Sequence, residues 1–146
     1  MILHELTIDE LTKKLASKEV SSRDAMQACL DRIDDIDNSI NAFISLDREN
    51  ALDQADAADS ALKNGANHND HPLLGVPVSL KDIFCVKNQP ANCASKILGD
   101  FRSPYDGSVV QKLKQAGAVI FGRVNMDEFA MGSSTENSAF GRTSNP

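Results

Sequence analysis

No apolar run in this chain of 146 residues approaches the roughly 18 that a membrane-crossing helix needs. The first residues, Met1-Ile2-Leu3-His4-Glu5, lack the basic stretch and apolar core of a secretion signal. They also lack the arginines of an organelle-targeting segment. Cysteine is sparse and odd in number: Cys29, Cys85 and Cys93 show no Cys-x-x-Cys spacing. That sets aside a disulfide framework and points to free thiols, packed as small hydrophobes in a reducing compartment. Cytoplasmic residence is the resulting expectation. Positive charge is also in deficit, with 15 Lys and Arg against 21 Asp and Glu and a net charge of −6. A broad phosphate-binding surface on this chain is thereby disfavoured, and the charge reads as simple solubility. No internal repeat is present.

What is present is ordinary for a soluble globular protein, 41% apolar and 25% charged, in about one domain's length. Three amphipathic helices come first. Thr7-x-x-Glu10 is a capping box ahead of an apolar stripe of Ile8, Leu11 and Leu15. Ser21 or Ser22 caps a second helix with Ala25, Cys29, Ile33 and Ile36 inward. After an extended stretch at 41–46, a third helix turns Leu52, Ala55, Ala58 and Leu62 inward and ends at Lys63-Asn64-Gly65. From Pro72 the texture changes. A short buried strand, 76–80, precedes a long irregular stretch, 84–104. A helix over 108–115 follows, then a strand over 118–121 and a turn or short helix over 125–131. Strand, helix, strand in that order predicts a crossover unit in a mixed, largely parallel sheet flanked by helices. The last stretch, 132–146, has no periodicity. The expected division is a helical region, 1–66, and the start of an α/β core, 67–146.

One lysine stands out. Lys81 falls where the strand 76–80 ends, so its stem follows apolar surface while its amine points to whatever lies beyond. A desolvated lysine has a lowered pKa, and a neutral amine accepts a proton. The residues alone leave Lys81 open between that general base and a solvated strand-end lysine. Asp82 beside it offers a counter-charge or a helix cap. Ligands in open α/β sheets bind beyond the carboxyl ends of strands, so the stretch 125–137 is a second candidate, against a plain capped turn. His68-x-x-His71 with Asp70 has no further histidine or cysteine nearby and is not read as a metal site. Cys85 or Cys93 as a nucleophile would need a histidine base that the sequence does not place.

Read together, four segments resemble the amidase signature family. They are Gly75-Val76-Pro77-Val78-Ser79-Leu80-Lys81-Asp82, Asn92-Cys93-Ala94-Ser95-Lys96-Ile97-Leu98, Gly117-Ala118-Val119-Ile120-Phe121-Gly122-Arg123, and Asn125 to Ser138 with its core Asn125-Met126-Asp127-Glu128-Phe129-Ala130-Met131-Gly132. The last segment is similar to the branch whose members are the A subunits of a tRNA-dependent glutamine amidotransferase. The resemblance runs from the first helix to the last residue. It implies a Ser–cis-Ser–Lys triad in which Lys81 is the base, acting through a second serine on the nucleophilic one. That nucleophile attacks the side-chain amide of glutamine, ammonia leaves, and water hydrolyses the glutamyl ester. It also implies partner B and C subunits in a heterotrimer, where the ammonia amidates Glu-tRNA(Gln) after ATP-dependent activation. ATP and Mg²⁺ then serve the whole complex, and this segment binds no cofactor and no metal. Within the stretch 125–137, whose glycine and hydroxyls let the backbone approach a small polar ligand, Met131, Gly132, Ser133 and Ser134 are the candidate substrate-binding residues.

The sequence departs from the family's pattern in places. Ile83 stands where asparagine is common, and Asn92 where threonine is usual. Both family serines belong to a Gly/Ser-rich segment after Ser144-Asn145-Pro146, and neither Ser133 nor Ser134 matches them. The chain therefore reads as the N-terminal part of an amidase domain, inactive by itself and weakly stable because of unpaired sheet edges. A different small-amide hydrolase of the family, or a non-catalytic module binding B and C subunits, are the alternatives.

Overall fold

The computed structural model describes residues 2–146. The Thr7 capping box is present: Thr7 Oγ1 accepts from the Glu10 N–H at 3.2 Å, and the Thr7 N–H donates to Glu10 Oε2 at 2.8 Å. Helix α1, Ile8–Ala16, follows with Leu11 and Leu15 buried. Ile8 is instead 56% exposed. As the first helical residue it projects back toward the N-terminus, ahead of the packed turns. Helix α2 spans Ser22–Ile40. Its cap is Ser21, whose Oγ accepts from the Asp24 N–H at 3.0 Å. Ser22 is the first helical residue and fully buried, its Oγ donating to the Gly75 carbonyl at 2.8 Å.

The buried face of α2 is Ser22, Ala25, Met26 and Leu30, while Cys29, Ile33 and Ile36 are half-buried. The expected stripe is thus rotated: the i, i+4 row 22–26–30 faces inward, and the row through 29 and 33 flanks it. Strand β1 is Phe43–Leu46 and helix α3 is Arg48–Lys63. The inward positions of α3 are Ala51, Ala55 and Ala58, with Leu52 and Leu62 half-buried. Gly65, at φ +98°, ends it as anticipated. The Gly65 N–H donates to Leu62 O and the Ala66 N–H to Ala61 O, the paired bonds of a Schellman cap.

Strand β2 is Pro77–Lys81, helix α4 Ser108–Gln115 and strand β3 Val119–Val124. The strands form one sheet in the order β1-β3-β2. β1 runs antiparallel to β3, pairing Phe43 with Val124 and Leu46 with Gly122, with an irregularity between Phe43 and Ser45. β2 runs parallel to β3: hydrogen bonds link Gly75 to Gly117, Val76 to Val119 and Asp82 to Val124, so partners advance together. The connection between them carries α4, as the crossover order requires. The sheet is mixed and flanked by helices. β2 is not wholly buried: Leu80 is buried but Ser79 and Lys81 are exposed, the alternation of a strand covered on one face. β3 is buried over Val119–Arg123 and runs three residues beyond the expected end.

The chain divides into two compact units, one of Met1–Asp35, Asp47–Val78 and Lys112–Phe121, the other of Ile36–Leu46, Ser79–Gln111 and Gly122–Pro146. In the first, Leu11, Leu15, Val20, Ala25 and Val76 form the core, with Leu3, Leu6, Leu62 and Leu73 against it. In the second, residues 83–107 form no helix or strand but close on themselves. Asn88 N–H donates to Ser103 O, Ser103 N–H to Gln89 O and Ala91 N–H to Phe101 O.

Candidate functional site

All the candidate residues from Lys81 to Ser134 lie in the second unit. The pleat at the end of β2 sends consecutive side chains to opposite sides. Lys81 is exposed, and among the described residues its Nζ makes no hydrogen bond or ion pair. The desolvated setting read from the sequence is therefore not formed by these residues alone, because the apolar approach ends at Leu80 and the amine emerges into solvent.

Asp82, on the other side, is 1% exposed. It is not a helix cap. Its Oδ2 accepts the backbone N–H groups of Asn92 and Ala94, each at 3.2 Å. Burial pushes its carboxyl above the usual aspartate range, against the pull of those N–H groups and of the Arg123 charge. Arg123, 3% exposed on β3, donates Nη1 to the Phe84 carbonyl at 2.5 Å and Nη2 to Gln89 Oε1 at 3.4 Å. Burial lowers its pKa, and Asp82 opposes that. Asp82 and Arg123 thus shape the irregular stretch that follows Lys81: one holds 92–94, the other 84 and 89.

Beyond β3, Asn125 fixes the closing residues. Its Nδ2 donates to Gly141 O at 2.8 Å, and its Oδ1 accepts the Ser138 hydroxyl at 2.6 Å. A single turn of 3₁₀ helix, Glu128–Ala130, follows, with Phe129 at φ +52°. The two loops are joined: Ser95 Oγ donates to Glu128 Oε1 at 2.5 Å, the Phe129 N–H to Cys93 O and the Ala139 N–H to Ala94 O. Met131, Gly132, Ser133 and Ser134 are all exposed, Met131 at 75%. Ser134 Oγ donates to Glu136. At the root of this stretch Asp127, 4% exposed, accepts three backbone N–H bonds from Ser134, Thr135 and Asn137. Those bonds, Thr135's first, hold its carboxyl below the usual range, and the Lys81 cation adds to them.

The other sequence candidates are engaged elsewhere. His68 Nε2 pairs with Leu74 O and His71 Nδ1 with Gln115 O. Among the described residues no three metal-capable side chains converge. Cys85 and Cys93 are half-buried free thiols, and burial raises Cys93. Sequence reading did not foresee the roles of Asp127, Arg123 and the Ser95–Glu128 bond. The one local signal was a charge inside an apolar strand, Arg123 in Val119-Ile120-Phe121-Gly122-Arg123-Val124.

A family model described as Amidase matches residues 24–146. Over its whole length the chain is 51% identical to the A subunit of glutamyl-tRNA(Gln) amidotransferase from Desulfatibacillum aliphaticivorans, of which it covers 30%. The A subunit of the same enzyme from Thermotoga maritima superposes at a TM-score of 0.75 with 35% identity, covering 98% of this chain and 28% of that one. The native peptide amidase of Stenotrophomonas maltophilia superposes at 0.83 with 30% identity, covering 95% of this chain and 29% of that one. The chain thus spans about 30% of the length of the curated relatives it matches. No helix among the described residues is long and apolar enough to cross a membrane.

Proposed function

Because this chain belongs to the amidase family, we propose that it is part of the glutamine-hydrolysing A subunit of a glutamyl-tRNA(Gln) amidotransferase, with Lys81 as the catalytic base. The observation that carries the reading is Lys81 itself. It stands exposed at the carboxyl end of β2 with an unpaired amine, and its charge acts on Asp127, which anchors the stretch holding Met131–Ser134. The two amidotransferase relatives, 51% and 35% identical, support the choice of branch.

In the proposed mechanism Lys81 must be neutral to take a proton, which requires that its exposed amine be covered in the complete subunit. The two serines of the triad then lie in that remaining length, since Ser133 and Ser134 sit on a different segment. Lys81 takes the proton relayed from the nucleophile, the nucleophile attacks the glutamine side-chain amide, and the proton passes back to the leaving nitrogen, which departs as ammonia. Water then hydrolyses the ester. The exposed Met131–Ser134 stretch holds a polar group of the substrate. The partner B and C subunits receive the ammonia and the Glu-tRNA(Gln), with ATP and Mg²⁺ consumed there. This chain binds neither. The cytoplasm is the compartment in which this chemistry is placed.

The test joins this chain to the remaining length of the Desulfatibacillum relative and measures glutaminase turnover. Turnover should appear in the joined protein and be absent from the 146-residue chain. Lys81→Ala should lower kcat by about 10²- to 10⁴-fold, the range of a lost general base. Full activity in Lys81→Ala, or turnover by the short chain alone, sinks the proposal. A second reading, a hydrolase of other small amides, is favoured by the superposition on the peptide amidase. Transfer of ammonia to Glu-tRNA(Gln) when B and C subunits are added distinguishes the two.

A further inference from the structure

The Asp127 carboxylate lies at the base of an exposed stretch and is spent on that stretch's backbone. Oδ2 accepts the Ser134 and Thr135 N–H groups at 3.0 and 2.9 Å, and Oδ1 the Asn137 N–H at 3.2 Å. Its own carbonyl accepts the Ala130 N–H at 2.9 Å. The chain between these anchors wraps the carboxylate closely. A Cβ on Gly132 would lie 2.5 Å from Asp127 Cγ and 2.8 Å from Oδ2. That is nearer than side chains approach one another, and the blocking atoms are those of a carboxylate already fixed by three bonds.

The wrap is also strained. Phe129, Ala130 and Thr135 are non-glycine residues at φ +52°, +61° and +60°. Left-handed conformations at such residues persist where surrounding bonds over-determine them. Within the wrap, the Gly132 and Ser133 N–H groups have no acceptor among the described residues.

We propose that Asp127 is the positioning residue of the substrate loop: its carboxylate holds Phe129–Asn137 in one shape, and that shape leaves the Gly132 and Ser133 N–H groups unpaired for a polar group of the substrate. The charged group acting on it from outside its own segment is Lys81, on β2. One acid therefore sets the loop and lies in the field of the proposed base. This deepens the reading of 131–134 as substrate-binding and rests on it.

The experiment follows the amide resonances of Ser134, Thr135 and Asn137 in this chain as pH is lowered. All three should move together through one midpoint, below the ordinary aspartate value of about 3.9. In Asp127→Asn that shared step should vanish, and hydrogen exchange at the Ser134 and Thr135 amides should quicken by about tenfold or more. Independent midpoints, no step, or a step that survives in Asp127→Asn overturns the proposal. Should Asp127→Asn not fold, Gly132→Ala keeps the carboxylate but displaces it from its donors, and the shared midpoint should rise. An unmoved midpoint there overturns it equally. In the complete subunit, Asp127→Asn should raise KM for glutamine by about tenfold with a smaller change in kcat, and an unchanged KM counts against it. The titration uses no substrate. A failed titration removes the role of Asp127 and leaves Lys81 standing, and a failed glutaminase assay does the reverse.

Discussion

Lys81 and Asp82 are neighbours in sequence, and the pleat of β2 turns the first to solvent and the second inward. Their proximity suggested a counter-charge, but Asp82 serves the loop at 92–94 instead and meets the charge of Arg123. Two buried aspartates at this site titrate with opposite sign. Asp82 has its folded pKa raised, chiefly by burial, so its contribution to stability falls as pH rises from the ordinary aspartate value through the raised one. Asp127 has its folded pKa lowered, so its contribution is present above the ordinary value and is lost as pH falls through the lowered one. Denaturation of the parent against Asp82→Asn and against Asp127→Asn, from about pH 3 to 7, should therefore give difference curves of opposite slope. Parallel slopes would refute one of the two assignments, and the sign they share would say which. Asp82→Ala should also cost about 2–3 kcal/mol at neutral pH, because one buried and one part-buried N–H group lose their acceptor. Urea unfolding measures it.

Among the elements, the helices were the most legible. Capping boxes, a glycine stop and apolar spacing are local, and α4 falls where the sequence puts it. The ends of the strands were not. β3 continues through Gly122 and Arg123 because their backbone pairs with Leu46 and Ser45 of β1, which is distant in sequence. Glycine positions show the same split between local and tertiary causes. A Cβ on Gly65, at φ +98°, would have nothing within 4 Å, so Gly65→Ala should cost only the left-handed conformation, about 1–2 kcal/mol. Gly117 has φ +87° and would place a Cβ 2.7 Å from Leu74 Cα. Gly117→Ala should cost that amount and about 1–3 kcal/mol more for overpacking against backbone. Thermal melts that rank the two variants equal would deny that Gly117 is a packing position.

At the scale of the whole molecule, the three-stranded sheet has β1 and β2 as its two edges. Large apolar side chains also stand exposed, Ile97 at 80%, Met131 at 75% and Tyr105 at 59%. Open edges and apolar surface favour association. The 146-residue chain should therefore melt below the same chain joined to the remaining length of the Desulfatibacillum relative, and its light scattering should rise with protein concentration. A monodisperse monomer melting as high as the joined protein would contradict this. The sequence by itself determined the α/β class, the helices with several of their caps, the crossover unit and the motif that carries Lys81, because caps, turns and hydrophobic period act over a few residues. Only the tertiary structure decided that Lys81 is exposed here, that Asp82 and Arg123 are spent on the 84–94 loop, and that Asp127 lies within the field of Lys81. Each depends on backbone donors and acceptors brought together from distant positions, and no local pattern encodes which buried charge meets which loop.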